Sequence, residues 1–537
     1  MLGKPIVYKA LFPLIALVMA IAWVPVTALS WIAPGLALGE TQEFIGLIAK
    51  GAAREPGCRQ ANPYFLPGDA AFLWEPGPNW TLGFAKQNLT GDPAIRTNIK
   101  NGRYNMAGYG HMPSSDIMDD LFARAIYLDD NTGRGGMLYA VVDCIGLSDT
   151  DTNRIRALAW EWARAAGIKS IQVAATHVHS GIDTIGIWKD LPYDGKDPEF
   201  QQWLVEKTAL ALRGAYDARQ DGRLYVADVD SGALFEDTRA PEVFDKTITR
   251  FRFAPSAANA KDVYLLCTGC HPEMVGPNNS VISADFPAYA GDYIQEATGA
   301  ESMFIQGAQG ALITSRDLQA LLEEHSKNNT AYGMAMAKEF GVEFAQRVLG
   351  ETGTVAEIEL PPLLNIASAE VEVPIENLAF ILAAKLGIIN HGVYSVRCRP
   401  WKYAFTAELS YLRLGDKTSS VDILVQPGEL APEIAWGGFL AKEDAALCKE
   451  YPRKAIFDYL NEYAFASERQ IVFGLANSFM GYVIPENDFM VDWLLPYLDA
   501  GTDRFGTAHY EETVSAGPRT AGVLTEGFRG LFAEVLA

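Results

Sequence analysis

Two histidines spaced two apart, His177 and His179 in Thr176-His177-Val178-His179-Ser180-Gly181, are the residues most able to do chemistry in this chain. The run Ile171-Gln172-Val173-Ala174-Ala175 before them reads as a strand ending in a polar loop. Side chains two apart on a strand point the same way, so both imidazoles are expected to face one site. One could hold a metal while its neighbour moves a proton. The bland alternative is a pair of solvated loop histidines. A third histidine follows in Cys267-Thr268-Gly269-Cys270-His271. That stretch matches C-x-x-C-H, the attachment pattern of c-type haem. It directly continues the strand-like run Asp262-Val263-Tyr264-Leu265-Leu266, and no other haem feature accompanies it. The competing reading is that His271 matters and the cysteines pack. A dithiol redox role lacks a thioredoxin-like context.

These residues need a large scaffold, and 537 residues with 49% hydrophobic content supply one. The net charge of −22 argues against nonspecific nucleic-acid binding. Six scattered cysteines are too few for a disulfide framework. Lys4 and Lys9 precede an uncharged apolar run from Ala10 to Leu38, interrupted by Pro13, Pro25 and Pro34. A span needs ~20 apolar residues, and a signal-peptide core is usually ~7–15. Residues 1–39 are therefore expected to be an uncleaved membrane anchor. Lys4 and Lys9 would be cytoplasmic, and residues 40–537 would form one domain outside, periplasmic or extracellular. Cleavage near Ala37, giving a secreted protein, is the alternative.

Between 40 and 110 loop signals dominate, among them Glu55-Pro56-Gly57 and Glu75-Pro76-Gly77-Pro78. Met137 to Val142 reads as a buried strand with Asp143 at its end, and Ser148 to Ala166 as a helix with Ile155, Leu158, Ala159 and Trp162 on its apolar face. With the strand into His177 this makes a strand–helix–strand unit. The expected class is α/β: a mixed, largely parallel sheet sandwiched by helices, with Asp143 and His177 at the carboxyl ends where ligand sites form. Asp197-Pro198 opens a further helix. Strands are expected at 224–229, 247–253, 263–267 and 302–306, and helices at 286–298 and 331–349. Alternation continues in Glu357–Leu360 and Val371–Val373. The apolar run Leu378 to Ile389 is too short to span a bilayer and reads as a core helix, or else as a lip on the substrate side.

Several ordered motifs resemble those of the neutral ceramidase family. Thr176–Gly181 is similar to its T-H-T-H-S-G. Cys270-His271-Pro272 is similar to its T-H-P, with Cys270 for Thr. Val281-Ile282-Ser283-Ala284-Asp285-Phe286-Pro287 is similar to its V-S-G-D-F-P, and Gln426-Pro427-Gly428-Glu429 to its P-G-E. Gly474-Leu475-Ala476-Asn477 with Tyr482-Val483 resembles its G-L-S-N…H-Y-I/V. Tyr510-Glu511 with Gly517-Pro518 resembles its Y-E…G-P. The matches span roughly residues 105–520.

The resemblance implies a zinc-dependent hydrolase cleaving the amide bond of ceramide or a related N-acyl (sphingo)lipid to a fatty acid and an amine. By motif, the Zn²⁺ ligands would be His177, His271, Glu429 and Tyr482, an N/O donor set that suits zinc. His179 would be general acid or base, and Tyr510 would hydrogen-bond the carbonyl oxygen as it gains charge. Arg239, in Asp237-Thr238-Arg239-Ala240-Pro241, matches a site arginine of the family.

Three departures stand out. Gln306-Gly307-Ala308-Gln309-Gly310-Ala311-Leu312-Ile313-Thr314-Ser315 replaces the N-A-G-D-V-S-P loop, placing Ile313 where the family has a serine; Thr314 or Ser315 would substitute only with a shift. Ile182-Asp183 replaces Pro-Gly after the H-x-H-S-G. The chain ends soon after the Tyr510 motif, so the family's C-terminal β-sandwich is expected to be missing. The alternatives are a non-catalytic lipid- or partner-binding protein of the same fold, and a metal hydrolase for another amide or ester.

Overall fold

The computed structural model describes residues 56–189, 193–243, 246–314 and 330–536. The expected anchor or signal segment at 1–39 and Ser315 lie outside the described residues. Among the described residues no helix is long and apolar enough to cross a membrane.

Eight strands run through the first sheet: β1 (Trp80–Asn88), β2 (Phe122–Asp129), β3 (Met137–Val142), β4 (Ser170–Ala175), β5 (Gln220–Asp230), β6 (Thr247–Pro255), β7 (Val263–Thr268) and β8 (Glu301–Gln306). Their order is β8-β7-β6-β5-β1-β2-β3-β4, and Ile358–Leu360 adds a ninth strand along β5. Parallel pairing occurs at the two ends, β3 with β4 and β7 with β8. Those are the pairs whose connections contain a helix, α1 (Asp149–Ala165) and α3 (Asp285–Thr298), and a parallel crossover needs one. The remaining pairs are antiparallel, so the sheet is mixed, with parallel pairing confined more narrowly than the sequence led us to expect.

A second sheet contains β9 (Leu364–Ile375), β10 (Tyr403–Gly415), β11 (Ser420–Val425) and β12 (Arg469–Phe473), in that order, with Tyr394–Ser395 along β10. Expectation and structure part company over the layers. Helices cover one face of each sheet, and the two sheets pack on each other. The period-two alternation of side chains makes this possible. In β3, Leu138, Ala140 and Val142 join Ile155 and Ala159 of α1 and Phe200, Leu204 and Leu212 of α2 (Pro198–Asp217). Met137, Tyr139 and Val141 of the same strand join Ile366, Leu412, Ile423 and Phe473 of the second sheet. The uninterrupted apolar run of β3 records burial on both faces but not by what.

Toward β8 the outer face is covered by Phe286 of α3 and by Phe340 and Phe344 of α4 (Thr330–Leu349). The second sheet's outer face, through Ala407, Leu409 and Tyr411, packs on Phe528 and Phe532 of α6 (Thr520–Leu536). The segment around Leu378 forms helix α5 (Leu378–Leu386), in which only Leu382 and Ala383 are buried and Leu378 is exposed. Ser148 caps α1 by accepting from the Asp151 amide, but Leu158 is exposed. The buried stripe is Ile155, Ala159 and Ala163. Arg156 lies on that buried side and forms a bidentate pair with Glu408 of β10 at 2.7 and 2.9 Å, tying α1 to the second sheet.

Candidate metal centre

The centre forms where the carboxyl ends of the first sheet meet extensions of the second. β4 stops at Ala175, and His177 takes a left-handed backbone with φ 67°, its amide donating to the Cys144 carbonyl. His177 and His179 do share a site, with ring centroids 5.1 Å apart. The cause is this turn rather than strand alternation. The His179 amide donates to Pro272 O, which draws in the loop after β7 and with it His271. Ring nitrogens of His177, His179 and His271 lie within 4.8 Å of one another. Gln306 holds the loops together, its Nε2 donating to Thr176 O and Cys270 O and its Oε1 accepting from the Cys270 amide.

Glu429 arrives on a turn after β11, where the Gln426 side chain bonds both the amide and the carbonyl of Gly428. Glu429–Leu430 pairs in parallel with Tyr482–Val483, so Glu429 and Tyr482 are register partners. Glu429 Oε2 lies 3.4 Å from His177 Nε2 and 3.1 Å from His271 Nε2. Tyr482 OH lies 3.3 Å from His271 Nε2 and 3.4 Å from Tyr510 OH. The four residues expected as ligands, together with His179 and Tyr510, are thus gathered in one place.

The donor set itself calls for a cation. His177 Nδ1 is 2.6 Å from Ile145 O, and His271 Nδ1 is 2.8 Å from Leu312 O. A carbonyl only accepts, so each Nδ1 carries the hydrogen and each neutral ring presents a bare Nε2 inward. Both bare nitrogens face one carboxylate oxygen. A proton or a metal ion must lie among them. A proton shared there favours the charged pair. Burial lowers the pKa of His271, but the hydrogen bond and charge of Glu429 outweigh it and raise the pKa overall. Burial raises that of Glu429, yet the His177 charge and the two imidazole hydrogen bonds hold it well below the usual range. Two imidazoles, a carboxylate and a phenol are donors that fit Zn²⁺.

His179 is different. Both its ring nitrogens are buried without a hydrogen-bond partner. Burial, then the charges of His177 and His271, push its pKa well below the usual imidazole value. Gly108, at φ 102°, lies so close that a Cβ there would come within 2.8 Å of the His179 ring, so only glycine fits. Tyr109 packs edge-on at 5.0 Å and donates to Glu273 Oε2, which lies 3.8 Å from His179 Nδ1. Half of Tyr510 is exposed, but its hydroxyl end is desolvated, and with the Glu511 charge this raises its pKa.

Other expected residues fall elsewhere. Arg239 is partly buried at the hub of an acidic cluster, with Asp488 at 2.9 Å, Glu512 at 2.9 Å and Glu511 at 3.1 Å. Its guanidinium is engaged by Asp488 and by Glu511 and Glu512, the two residues after Tyr510. Asp143 accepts from the Phe122 amide and from Arg124, serving the strand end. Asp183 is wholly buried and anchors the next loop by accepting from the Ile185 and Gly186 amides. Cys267 packs in the core between the sheets and Cys270 in the core under α3 and α4, so the two thiols serve different cores. Ile313 lies on Leu312–Thr314, which pairs with Phe235–Asp237, and Thr314 is buried. This loop serves the centre through its backbone, because Leu312 O accepts from both the amide and Nδ1 of His271.

Gln309 was not anticipated; its Nε2 lies 3.4 Å from His271 Nε2, and its Oε1 is buried and unpaired. Only the small-residue loop around it gave a signal. A cleft of about 890 Å³ lined by Asp228, Arg413, Trp436 and Phe465 shares no residue with the centre.

No family model and no curated protein sequence matches the chain. Solved structures do. A neutral ceramidase from Pseudomonas aeruginosa superposes with TM-score 0.60 at 16% identity, covering 86% of this chain and 75% of that one. A ceramidase complexed with C2 gives TM-score 0.58 at 14% identity, covering 85% and 76%. With the two-sheet core and the ordered site segments described above, this chain has the fold of the neutral ceramidases.

Proposed function

We propose that the protein is a zinc-dependent hydrolase of N-acyl lipids, ceramide or a close relative, releasing a fatty acid and an amine. Residues 40–537 would form the hydrolase domain, held outside the cytoplasm by the apolar N-terminal segment or released by its cleavage. One observation carries the reading: two imidazoles with bare Nε2 atoms converge on a single Glu429 oxygen, with a third histidine beside them that makes no hydrogen bond. The likeness to ceramidases, in fold and in motif order, supplies the substrate class.

His177, His271, Glu429 and Tyr482 would hold the zinc. When bound there, zinc lowers the pKa of water toward ~7 and polarises a carbonyl. The rest falls to the chain. In the reaction a water oxygen bonds to the amide carbon, the C–N bond breaks, and the proton taken from water passes to the leaving nitrogen. His179 is suited to that transfer by position, because its ring lies 5.1 Å from that of His177 and neither of its nitrogens is committed to a hydrogen bond. Tyr510 is suited to donate to the carbonyl oxygen, because its raised pKa keeps the phenol protonated. Arg239 would act indirectly, by fixing the segment that carries Tyr510.

Ile313 in place of the family serine favours a second reading, a lipid-binding protein without turnover. Purified protein assayed for bound zinc and for fatty-acid release from ceramides, N-acyl amino acids and N-acyl amines separates the two. Zinc with release supports the hydrolase. Zinc-loaded folded protein that releases nothing across the panel supports the binder.

A further inference from the structure

Tyr510 closes an excursion that begins at Met490; Val491 and Tyr497 pack inward beside Phe489, but three other apolar side chains of the excursion are exposed. The first loop carries Trp493, 88% exposed, and Leu494, 65% exposed. Trp493 is the most exposed large apolar side chain among the described residues. The second loop, a hairpin in which Gly501–Thr502 pairs with Ala508–His509, carries Phe505 at its tip, 57% exposed. Single exposed apolar residues need no explanation, but a Trp-Leu pair and a Phe on two successive loops, the first closed by the Val491–Ala500 bridge, do.

Both tips are rigid. Asp492 accepts from the Leu494 and Leu495 amides, and Asp503 from the Phe505 and Thr507 amides. The base is rigid as well. The Met490 amide donates to Glu512, and Glu512, Glu511 and Asp488 all pair with Arg239. The excursion is therefore clamped at the centre through Tyr510, whose hydroxyl lies 3.4 Å from that of Tyr482.

We infer that these tips dock the enzyme on a zwitterionic lipid surface and so bring the metal centre to substrate lying in a bilayer; the inference rests on the N-acyl-lipid reading. Three observations select this occupant. Trp, Leu and Phe are the side chains that partition into the bilayer interface. The excursion that carries the tips ends at Tyr510 beside Tyr482, so docking them sets the position of the centre against the surface. Across 490–510 three aspartates, Asp492, Asp499 and Asp503, stand against one arginine, Arg504, in a chain of net charge −22, a balance that gives no attraction to anionic headgroups.

The test uses the full chain with phosphatidylcholine vesicles whose acyl chains carry bromine, a fluorescence quencher. Trp23 and Trp31 of the N-terminal segment contribute equally to wild type and Trp493→Phe, so the difference isolates Trp493. The expected result is a quenched component in wild type that Trp493→Phe lacks. Identical quenching overturns the inference. In a second measurement, Trp493→Ser with Leu494→Ser should lower turnover of bilayer-embedded N-acyl lipid about ten- to a hundredfold relative to a soluble short-chain N-acyl amide. Equal loss on both substrates, or none on either, overturns it. So does an unquenched Trp493 whose replacement by serine turns a dimer into a monomer, which would assign the face to a second copy. A quenched Trp493 in protein that hydrolyses no N-acyl lipid leaves the docking intact and defeats the reaction; hydrolysis with Trp493 unquenched does the reverse.

Discussion

Glu429 and Tyr482 are partners in a two-residue parallel ladder, and each reaches His271, the carboxylate at 3.1 Å and the phenol at 3.3 Å. The ladder belongs to the second sheet's extensions and His271 to the first sheet's end. A metal held there would cross-link the two halves of the core. Chelation should lower the melting temperature and added zinc should restore it, since a ligand bound only by the folded state stabilises by RT ln(1 + [L]/Kd). A melting temperature indifferent to chelator in protein shown to carry zinc would place the metal elsewhere.

The three histidines make a sharper test. Their nitrogens are close enough for an all-imidazole site, yet of the three, Glu429 contacts only His177 and His271, and His179 has no hydrogen-bond partner. We expect His177→Ala and His271→Ala each to lose zinc and activity together. His179→Ala should keep zinc, measured by elemental analysis, and lose turnover by about a hundredfold or more, as for a general acid–base. If His179→Ala strips the metal as completely as His177→Ala, His179 is a ligand and the division of roles is wrong.

Much of this was legible in the sequence. The helices begin where Ser148 and Asp197 can cap them, and the apolar runs of β3, β4 and β7 are where strands form. The ordered short motifs converge on one place. Two things were not legible. One was the stacking of the sheets: β10 alternates Leu409 and Tyr411 outward with Leu412 and Leu414 inward, and a strand buried on both faces does not record whether helix or sheet covers each. The other was His177's left-handed turn, since period two already explained its closeness to His179. Arg239 looked like a site cation because its motif is local, whereas its carboxylate partners lie about 250 residues or more away in sequence.

Arg239 compensates three buried carboxylates at once. Removing one partner of such a network leaves unpaired charge in a dry site, at a cost of about 3–5 kcal/mol. Arg239→Met should therefore lower stability by about that amount in denaturant unfolding. Arg239→Lys should recover only part of it, because an ammonium cannot match the planar fork. A substitution that leaves stability untouched and abolishes turnover would return Arg239 to the site.

Ile313 sits on the strand whose Leu312 carbonyl fixes His271. If His179 and Tyr510 supply proton transfer and oxyanion stabilisation, a hydroxyl at 313 positions substrate rather than breaking the bond. Ile313→Ser should reorder the preference among N-acyl substrates, read as ratios of kcat/KM, while zinc content stays constant. Unchanged ratios would remove this loop from substrate contact.

Glu433 follows the ligand turn on the short helix Pro432–Trp436 and is buried. Burial raises its pKa to about 8, with Asp237 and Asp488 adding to the shift and Arg239 opposing it. The sign follows from proton counting. Below the ordinary glutamate range both folded and unfolded chains are protonated at this position, and its contribution is flat. As pH rises toward 8 the unfolded chain ionises while the folded chain keeps its proton. The unfolded state then binds fewer protons, and stability falls with pH. Above about 8 both forms are ionised and the loss is complete. Glu433→Gln keeps the shape and removes the titration. The variant's melting temperature should differ little in its gap from wild type below pH 5, and the gap should widen in the variant's favour up to about pH 8. A gap that stays constant across that range would mean that Glu433 ionises normally in the folded protein.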